Sequence, residues 1–133
     1  MKDLKRADAH LLKASEDLLE AISLFEAGFT DGTCNRAYYA LFHCILALLH
    51  TENGPIPKTH TGAHTEFRKH FIKGGTFDES FSGSISELFN MRQGGDYDIE
   101  FDISIEDAES AVELATVFLQ KTKDHIHLLS ANS

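Results

Sequence analysis

Apolar residues recur at steps of three and four along the first 27 positions of the chain. This spacing places them on one face of a helix. It predicts a first helix from about Leu4 to Ala27, with Gly28 as a natural stop. The members of this stripe are Leu4, Ala7, Leu11, Ala14, Leu18, Ile22 and Phe25.

The second predicted helix begins between Thr30 and Thr33, runs to about Thr51, and is apolar in almost every direction. Such a helix is normally buried, so we expect it to be the central element. In a small bundle, one layer of helices would leave part of this surface open. We therefore predict a homodimer in which a second copy covers the exposed part. The positions that carry this prediction are Tyr38, Leu41, Phe42, Ile45, Leu48 and Leu49.

Three more helical segments follow a break at residues 53–57, which hold both prolines of the chain. The first is expected over about residues 61–73. The next covers about residues 79–92, with an irregularity near Gly83 and an end at Gly94 and Gly95. The last begins after Ser104, where Ser-Ile-Glu-Asp resembles a capping box, and continues to about Leu129.

No strand-like alternation competes with these helices, and the sequence contains no internal repeat. The predicted fold class is therefore all-α, an up-and-down bundle of four to five helices. At 133 residues the chain fits one domain, and we expect its core to lie within about residues 4–129.

The net charge of −9 argues against generic binding of DNA or RNA, which normally requires cations that neutralise phosphates. The charge is uneven, however. The charged residues within 58–73 are mostly basic, whereas residues 96–113 contain eight acids and no base. These segments are either two solvated surfaces or a phosphate-facing edge opposite an acidic one.

Several features favour a soluble cytoplasmic protein. Cys34 and Cys44 lie too far apart on one predicted helix to form a disulfide, so we expect reduced thiols. The charged start does not resemble a secretory leader, and no apolar run is long enough to span a membrane.

Polar residues form a single seam on the second helix. At about 100° per residue, Arg36, Tyr39, His43 and His50 fall within one narrow sector, which we call the polar seam. A buried arginine needs acceptors or a carboxylate. Two interpretations remain open: Arg36 pairs with an acid of the core or an interface, or the seam lines a cleft.

His60 and His64 are four residues apart on the third predicted helix and share a face. Such a pair can chelate Zn²⁺, but no third ligand is identifiable, so we predict no metal site. The sequence also lacks a Walker loop, a dinucleotide fingerprint and a nucleophile elbow, and we predict no cofactor.

A further polar group stands where the fourth helix is expected to end. Arg92 offers a guanidinium suited to phosphate or carboxylate, Asp96 could hold it, and Tyr97 offers a hydroxyl. Gly94 and Gly95 allow either a tight turn or a close approach of the backbone to a neighbour. A turn locked by an Arg92–Asp96 pair is the structural alternative to a binding site.

Three segments together resemble the HEPN-domain family. They are Asn35-Arg36-Ala37-Tyr38-Tyr39-Ala40-Leu41-Phe42-His43, then Lys58-Thr59-His60-Thr61-Gly62, and finally Arg92-Gln93-Gly94-Gly95-Asp96-Tyr97. The resemblance implies a helical bundle that dimerises and a minimal nucleotidyltransferase as the partner in a toxin–antitoxin or defence module. It also implies metal-independent ribonuclease activity in many members, through an arginine followed four to six residues later by histidine.

This chain departs from that motif, because no histidine follows Arg92 until His125. The resemblance implies binding of nucleotide or RNA through Arg36, Tyr39, Arg92 and Tyr97, near a dimer interface. An active endoribonuclease would use Arg92 for phosphate and His43 or Asp96 for proton transfer. A non-catalytic dimerisation module is the third hypothesis.

Tyr97 also matches the tyrosine to which the partner nucleotidyltransferase of the related family transfers AMP. The alternative is that its ring packs against the last helix.

Overall fold

The computed structural model describes residues 3–131, and these contain five α-helices and no strand. Helix α1 spans Leu4–Glu26, α2 Thr30–Leu49, α3 His60–Phe67, α4 Ser80–Tyr97 and α5 Ile105–Ala131. A π-helical turn, Arg68–Ile72, continues α3. The predicted all-α bundle is confirmed.

Two helix starts follow from the side chains that cap them. The Asp3 carboxylate accepts the Arg6 amide at 3.0 Å and begins α1. The Ser104 hydroxyl accepts the Asp107 amide at 3.0 Å and begins α5. Each cap satisfies a backbone donor that has no partner within the first helical turn.

Helix α2 is the central element, as its sequence predicts, because α1, α3, α4 and α5 all pack around it. Most of its apolar residues are buried within one chain, and Phe42 and Leu46 stay half-buried, so the open apolar face is smaller than the sequence predicts. The homodimer stays a prediction. A stripe of mostly polar and aromatic residues stays half-buried along α2 and at its C-cap. Its members are Asn35, Arg36, Tyr39, Phe42, His43, Leu46 and the C-cap residue His50.

The buried stripe of α1 differs from the expected one at a single step. The fully buried member after Ala14 is Asp17, whereas Leu18 is only partly buried. Steps of three and four both fit a helical face, and the step of three places a carboxylate against α2.

Helix α4 does not end at its two glycines but continues to Tyr97. The glycines provide space instead of a turn. A Cβ on Gly94 would come within 2.5 Å of the Phe101 ring, and one on Gly95 within 2.9 Å of Ile103. The segment between α4 and α5, residues 98–104, can therefore fold back onto α4. We call this segment the acidic loop.

Candidate functional site

The polar seam of α2 faces α1, and its arginine meets a buried acid there. The Arg36 Nη1 atom donates to Asp17 Oδ1 at 3.2 Å, and the Asp17 side chain is 1% exposed. Burial raises the pKa of Asp17, although the Arg36 guanidinium opposes that shift. The interpretation that Arg36 pairs with a core acid is thus what the structure shows. The pair lies within one chain.

Tyr39 lies between two guanidiniums. Its ring centroid is 4.9 Å from the Cζ atom of Arg36 and 5.3 Å from that of Arg92. The Arg92 Nη2 atom also donates to the Tyr39 hydroxyl at 2.7 Å. The electron-rich faces of an aromatic ring attract cations, so Tyr39 holds Arg36 of its own helix and joins α2 to α4 through Arg92.

Arg92 is linked to Arg36 through Asp96 and Asn35. The Arg92 Nε atom lies 3.5 Å from Asp96 Oδ2, and the Asn35 amide donates to the same oxygen at 2.8 Å. The Asn35 Oδ1 atom in turn accepts from Arg36 Nε at 2.9 Å. The predicted Arg92–Asp96 pair is therefore present, but it lies within a helix and not in a turn.

The Arg92 guanidinium is mostly buried. Its side chain is 11% exposed, and its buried Nε atom faces Asp96 Oδ2 at 3.5 Å without the geometry of a hydrogen bond. Burial opposes the charge of Arg92, yet the hydrogen bond to Tyr39 and the Asp96 carboxylate raise its pKa overall. Because a guanidinium keeps its charge, the part of Arg92 that solvent reaches favours an anionic ligand with accepting oxygens.

Tyr97 stands at the outer end of this group. Its ring centroid lies 6.0 Å from the Arg92 Cζ atom, and the residue is 77% exposed. The ring therefore does not pack away against the last helix, which was the alternative to a functional role. Its phenol is accessible from solvent beside a guanidinium.

His43 lies along the same helix and joins a cluster of imidazoles. Its Nδ1 atom is 3.0 Å from His10 Nδ1, and its Nε2 atom is 3.9 Å from Asp17 Oδ2. The His10 ring stacks on both His43 and His50, at 5.2 Å between centroids in each case. Burial, assisted by Lys13 and Arg36, lowers the pKa of His43. A neutral imidazole of this kind can accept a proton.

His60 and His64 contact the hydroxyl of Tyr38. The neighbouring group around Tyr39, which we call the arginine cluster, consists of Arg36, Tyr39, Arg92, Asp96 and Asn35. The Nδ1 atom of His60 and the Nε2 atom of His64 lie 2.6 and 2.9 Å, respectively, from the Tyr38 hydroxyl, and the His60 ring stacks on Phe42 at 4.1 Å. Within residues 3–131 no group of three or more histidine, cysteine or acidic side chains is arranged to hold a metal ion. His64 is buried and belongs to the core, whereas His60 is half-buried and its ring centroid lies 6.0 Å from that of Tyr39.

The fold thus brings together Arg36, Tyr39, Arg92, Asp96 and Tyr97, and Asp17 connects His43 to this group. Sequence reasoning missed the roles of Asp17, His10 and Asn35. Asp17 lies three residues after Ala14 and was one of two positions to which the apolar stripe of α1 could lead, so its signal in the sequence was ambiguous. For His10 the sequence offered no comparable signal.

Comparisons with known proteins were made against family models and curated sequences. The model of the HEPN domain matches residues 7–125. Two similar proteins come from Methanocaldococcus jannaschii. The one named "Putative toxin MJ0142" is 37% identical over 92% of this chain and 83% of its own length. The one named "Putative toxin MJ0605" is 33% identical over 92% and 90%. A "UPF0332 protein" of Archaeoglobus fulgidus is 30% identical over 90% and 94%.

Proposed function

The chain belongs to the HEPN family, and from that premise we propose that it is one component of a toxin–antitoxin or defence module. Its proposed partner is a minimal nucleotidyltransferase, and its proposed ligand is a nucleotide or RNA. Two of its relatives carry the word toxin in their names, which supports the module but not the partner.

The observation that carries the ligand proposal is the pair of guanidiniums near the Tyr39 ring, at 4.9 and 5.3 Å from its centroid. Arg92 keeps its charge beside Tyr39 and Tyr97, and a phosphate oxygen could accept from the part of its guanidinium that solvent reaches. Tyr39 and Tyr97 provide rings close to that phosphate position. Since Asp17 and Asp96 already balance both arginines, binding should be weak and should decrease with added salt.

The test compares Arg92→Ala with Arg6→Ala, which removes the same charge from a side chain that is 73% exposed. Fluorescence anisotropy with short single-stranded RNA would be recorded at low and moderate salt, with circular dichroism as a check on folding. We expect about a tenfold loss of affinity for Arg92→Ala, equivalent to one charge-assisted hydrogen bond, and little change for Arg6→Ala. Equal affinities of a folded Arg92→Ala protein and the wild type would refute the assignment.

Metal-independent RNA cleavage is the second candidate function, and the His10–His43 pair is the observation that favours it. Two neutral imidazoles in contact, one of them beside a buried carboxylate, supply proton acceptors. Burial lowers the pKa of both His10 and His43, so cleavage by this pair should be slow at neutral pH. Asp96 is a weaker candidate because Asn35 and Arg92 already occupy its carboxylate. Loss of cleavage in His43→Ala with RNA affinity unchanged would support this function; wild-type protein that binds RNA without cleaving it would exclude it.

A purely structural dimerisation module has less support. The Arg36 guanidinium is paired inside one chain, so no second chain is needed to satisfy it. We retain the homodimer as a proposal and place its interface along the half-buried stripe of α2, which includes Phe42 and Leu46. Sedimentation equilibrium at tens of micromolar would contradict it by giving a mass close to 14.8 kDa.

Modification of Tyr97 is also proposed, on the basis of its exposed phenol 6.0 Å from Arg92. An anionic adduct on the ring would compete with a ligand phosphate for the guanidinium. Incubation with the partner nucleotidyltransferase, ATP and Mg²⁺ should add the mass of AMP to the wild type. The same incubation should leave Tyr97→Phe unmodified, and an adduct on that variant would remove Tyr97 from the proposal.

A further inference from the structure

Large apolar side chains are exposed together at one end of the bundle. Ile99 is fully exposed, Tyr97 is 77% exposed, Phe29 is 63% exposed, and Phe101 is partly exposed. Asp31 lines both the 330 Å³ cavity beside Tyr97, Ile99 and Phe101 and the neighbouring 270 Å³ cavity beside Phe29. These four apolar residues therefore form one surface, which we call the apical patch.

The patch is held in this exposed arrangement by local contacts. The Phe101 amide donates to the Asp98 carbonyl, and the Glu100 amide donates to Asp98 Oδ1, both at 3.0 Å. The absence of side chains at Gly94 and Gly95 lets Phe101 and Ile103 lie against α4. The acidic loop thus turns its Ile99 side chain toward solvent. Apolar side chains gathered on a surface in this way indicate an interaction site.

The charge around the patch restricts what can bind there. Residues 93–120 contain no lysine, arginine or histidine, and Arg92 is already paired with Asp96. The acids of the loop would repel an anionic lipid surface, and two apical patches facing each other would bring like charges together. The acids that border the patch are Asp31, Asp96, Asp98, Glu100 and Asp102.

We propose that the apical patch is a docking site for a cationic protein segment with an apolar side chain at its centre. The apolar side chain would contact Ile99 and Tyr97, and its flanking cations would pair with the acids of the loop. A segment bound there would cover Tyr97 and restrict access to Arg92. That consequence, unlike the docking itself, depends on the proposed function.

The probe for the test is a short synthetic peptide in which lysines flank a pair of leucines. Its binding to the full chain would be measured by isothermal titration calorimetry, beside two control peptides. One control has serine in place of leucine and the other has glutamate in place of lysine. We expect binding of the first peptide and at least about tenfold weaker binding of both controls.

Two variants locate the binding on the protein. In the first, Ile99→Ser and Phe29→Ser are combined, and its matched control combines Leu12→Ser and Leu19→Ser, two residues that are similarly exposed on α1. In the second, Asp98→Asn, Glu100→Gln and Asp102→Asn are combined, and its control combines Asp8→Asn, Glu109→Gln and Glu113→Gln. Each patch variant should lose about tenfold in peptide affinity, and the controls should lose little.

Equal losses in patch and control variants would show nonspecific attraction and overturn the proposal, as would undiminished binding by the patch variants. A dimer in sedimentation that dissociates in the Ile99 and Phe29 variant would make a second copy the occupant and would also overturn it. RNA affinity measured in parallel separates the two proposals. Arg92→Ala should weaken RNA binding and leave peptide binding unchanged. The Ile99 and Phe29 variant should weaken peptide binding and leave RNA binding unchanged.

Discussion

Tyr38 and Tyr39 are neighbours in the sequence, yet their hydroxyl groups belong to two clusters of different chemistry. The Tyr38 hydroxyl faces two uncharged imidazoles, His60 and His64, and the residue is completely buried. Arg92 reaches only the Tyr38 ring, where its Cζ atom lies 5.5 Å from the centroid. The Tyr39 side is charged and half-open, with Arg36 and Arg92 on its ring. Consecutive residues point about 100° apart on a helix, so one helix supplies both clusters.

The difference follows from what burial does to each cation. A histidine can lose its proton when it is buried, and the pKa of His64 is lowered to about 4 by burial, with contributions from Arg68 and His60. An arginine cannot lose its charge, so it keeps a carboxylate, an aromatic face or an opening to water. The uncharged cluster can therefore be dry core, and the arginine cluster is where an anion could be bound.

The largest expected effect is a difference in the free energy of unfolding between the alanine variants of the two tyrosines. Tyr38→Ala removes a fully buried ring and should lower the free energy of unfolding by about 4 kcal/mol. Tyr39→Ala removes a half-buried ring and should cost about 1 kcal/mol while it weakens RNA binding about tenfold. Urea denaturation and fluorescence anisotropy would measure the two quantities.

Tyr38→Phe serves as the control for volume, because it retains the ring and removes only the hydroxyl. It should cost about 1 to 2 kcal/mol, since the imidazole nitrogens of the buried His64 and the half-buried His60 lose their partner. If Tyr38→Ala and Tyr39→Ala were equally destabilising, the division into a core side and a ligand side would be wrong.

A second, smaller effect tests how Arg36 is held. Asp17→Ala should lower the free energy of unfolding by about 2 to 3 kcal/mol, less than for a fully buried pair, because the Arg36 side chain is 28% exposed and can turn toward water. Asp17→Asn retains a hydrogen-bond acceptor and should cost less. A double-mutant cycle with Arg36→Ala would measure the coupling, and additive effects would contradict the pair.

The sequence was sufficient for the helices, for the central position of α2 and for the polar seam, because each depends on periodicity within one segment. It also indicated the Arg92–Asp96 pair, whose residues are four apart on one helix. Asp17 was harder to identify, since steps of three and four lead from Ala14 to either Asp17 or Leu18. Only the packing of α1 on α2 decides between the two residues.

Other features depend on contacts between segments and could not be read locally. Gly94 and Gly95 look like a helix end, yet their role is to accommodate Phe101 and Ile103, which follow several residues later. The π-helical turn at Arg68–Ile72 changes the register of the helix where Arg68 bonds to Ser82 and Ser86 of α4. The periodicity of the third helical segment cannot indicate a contact with serines that lie on a different helix.

The smallest expected effect concerns pH and tests the uncharged side of the comparison. In the unfolded chain His64 has an ordinary pKa near 6.5, whereas burial lowers its pKa to about 4 in the folded protein. Between these values the unfolded state binds more protons, so stability should fall as pH decreases from about 6.5 to 4 and stay level below that. His64 should account for roughly 1 to 2 kcal/mol of the loss between pH 7 and pH 5. Urea denaturation at both pH values should therefore show a smaller loss for His64→Gln than for the wild type. An identical loss in the two proteins would mean that His64 can be protonated in place, and the Tyr38 cluster would then be no drier than the arginine cluster beside it.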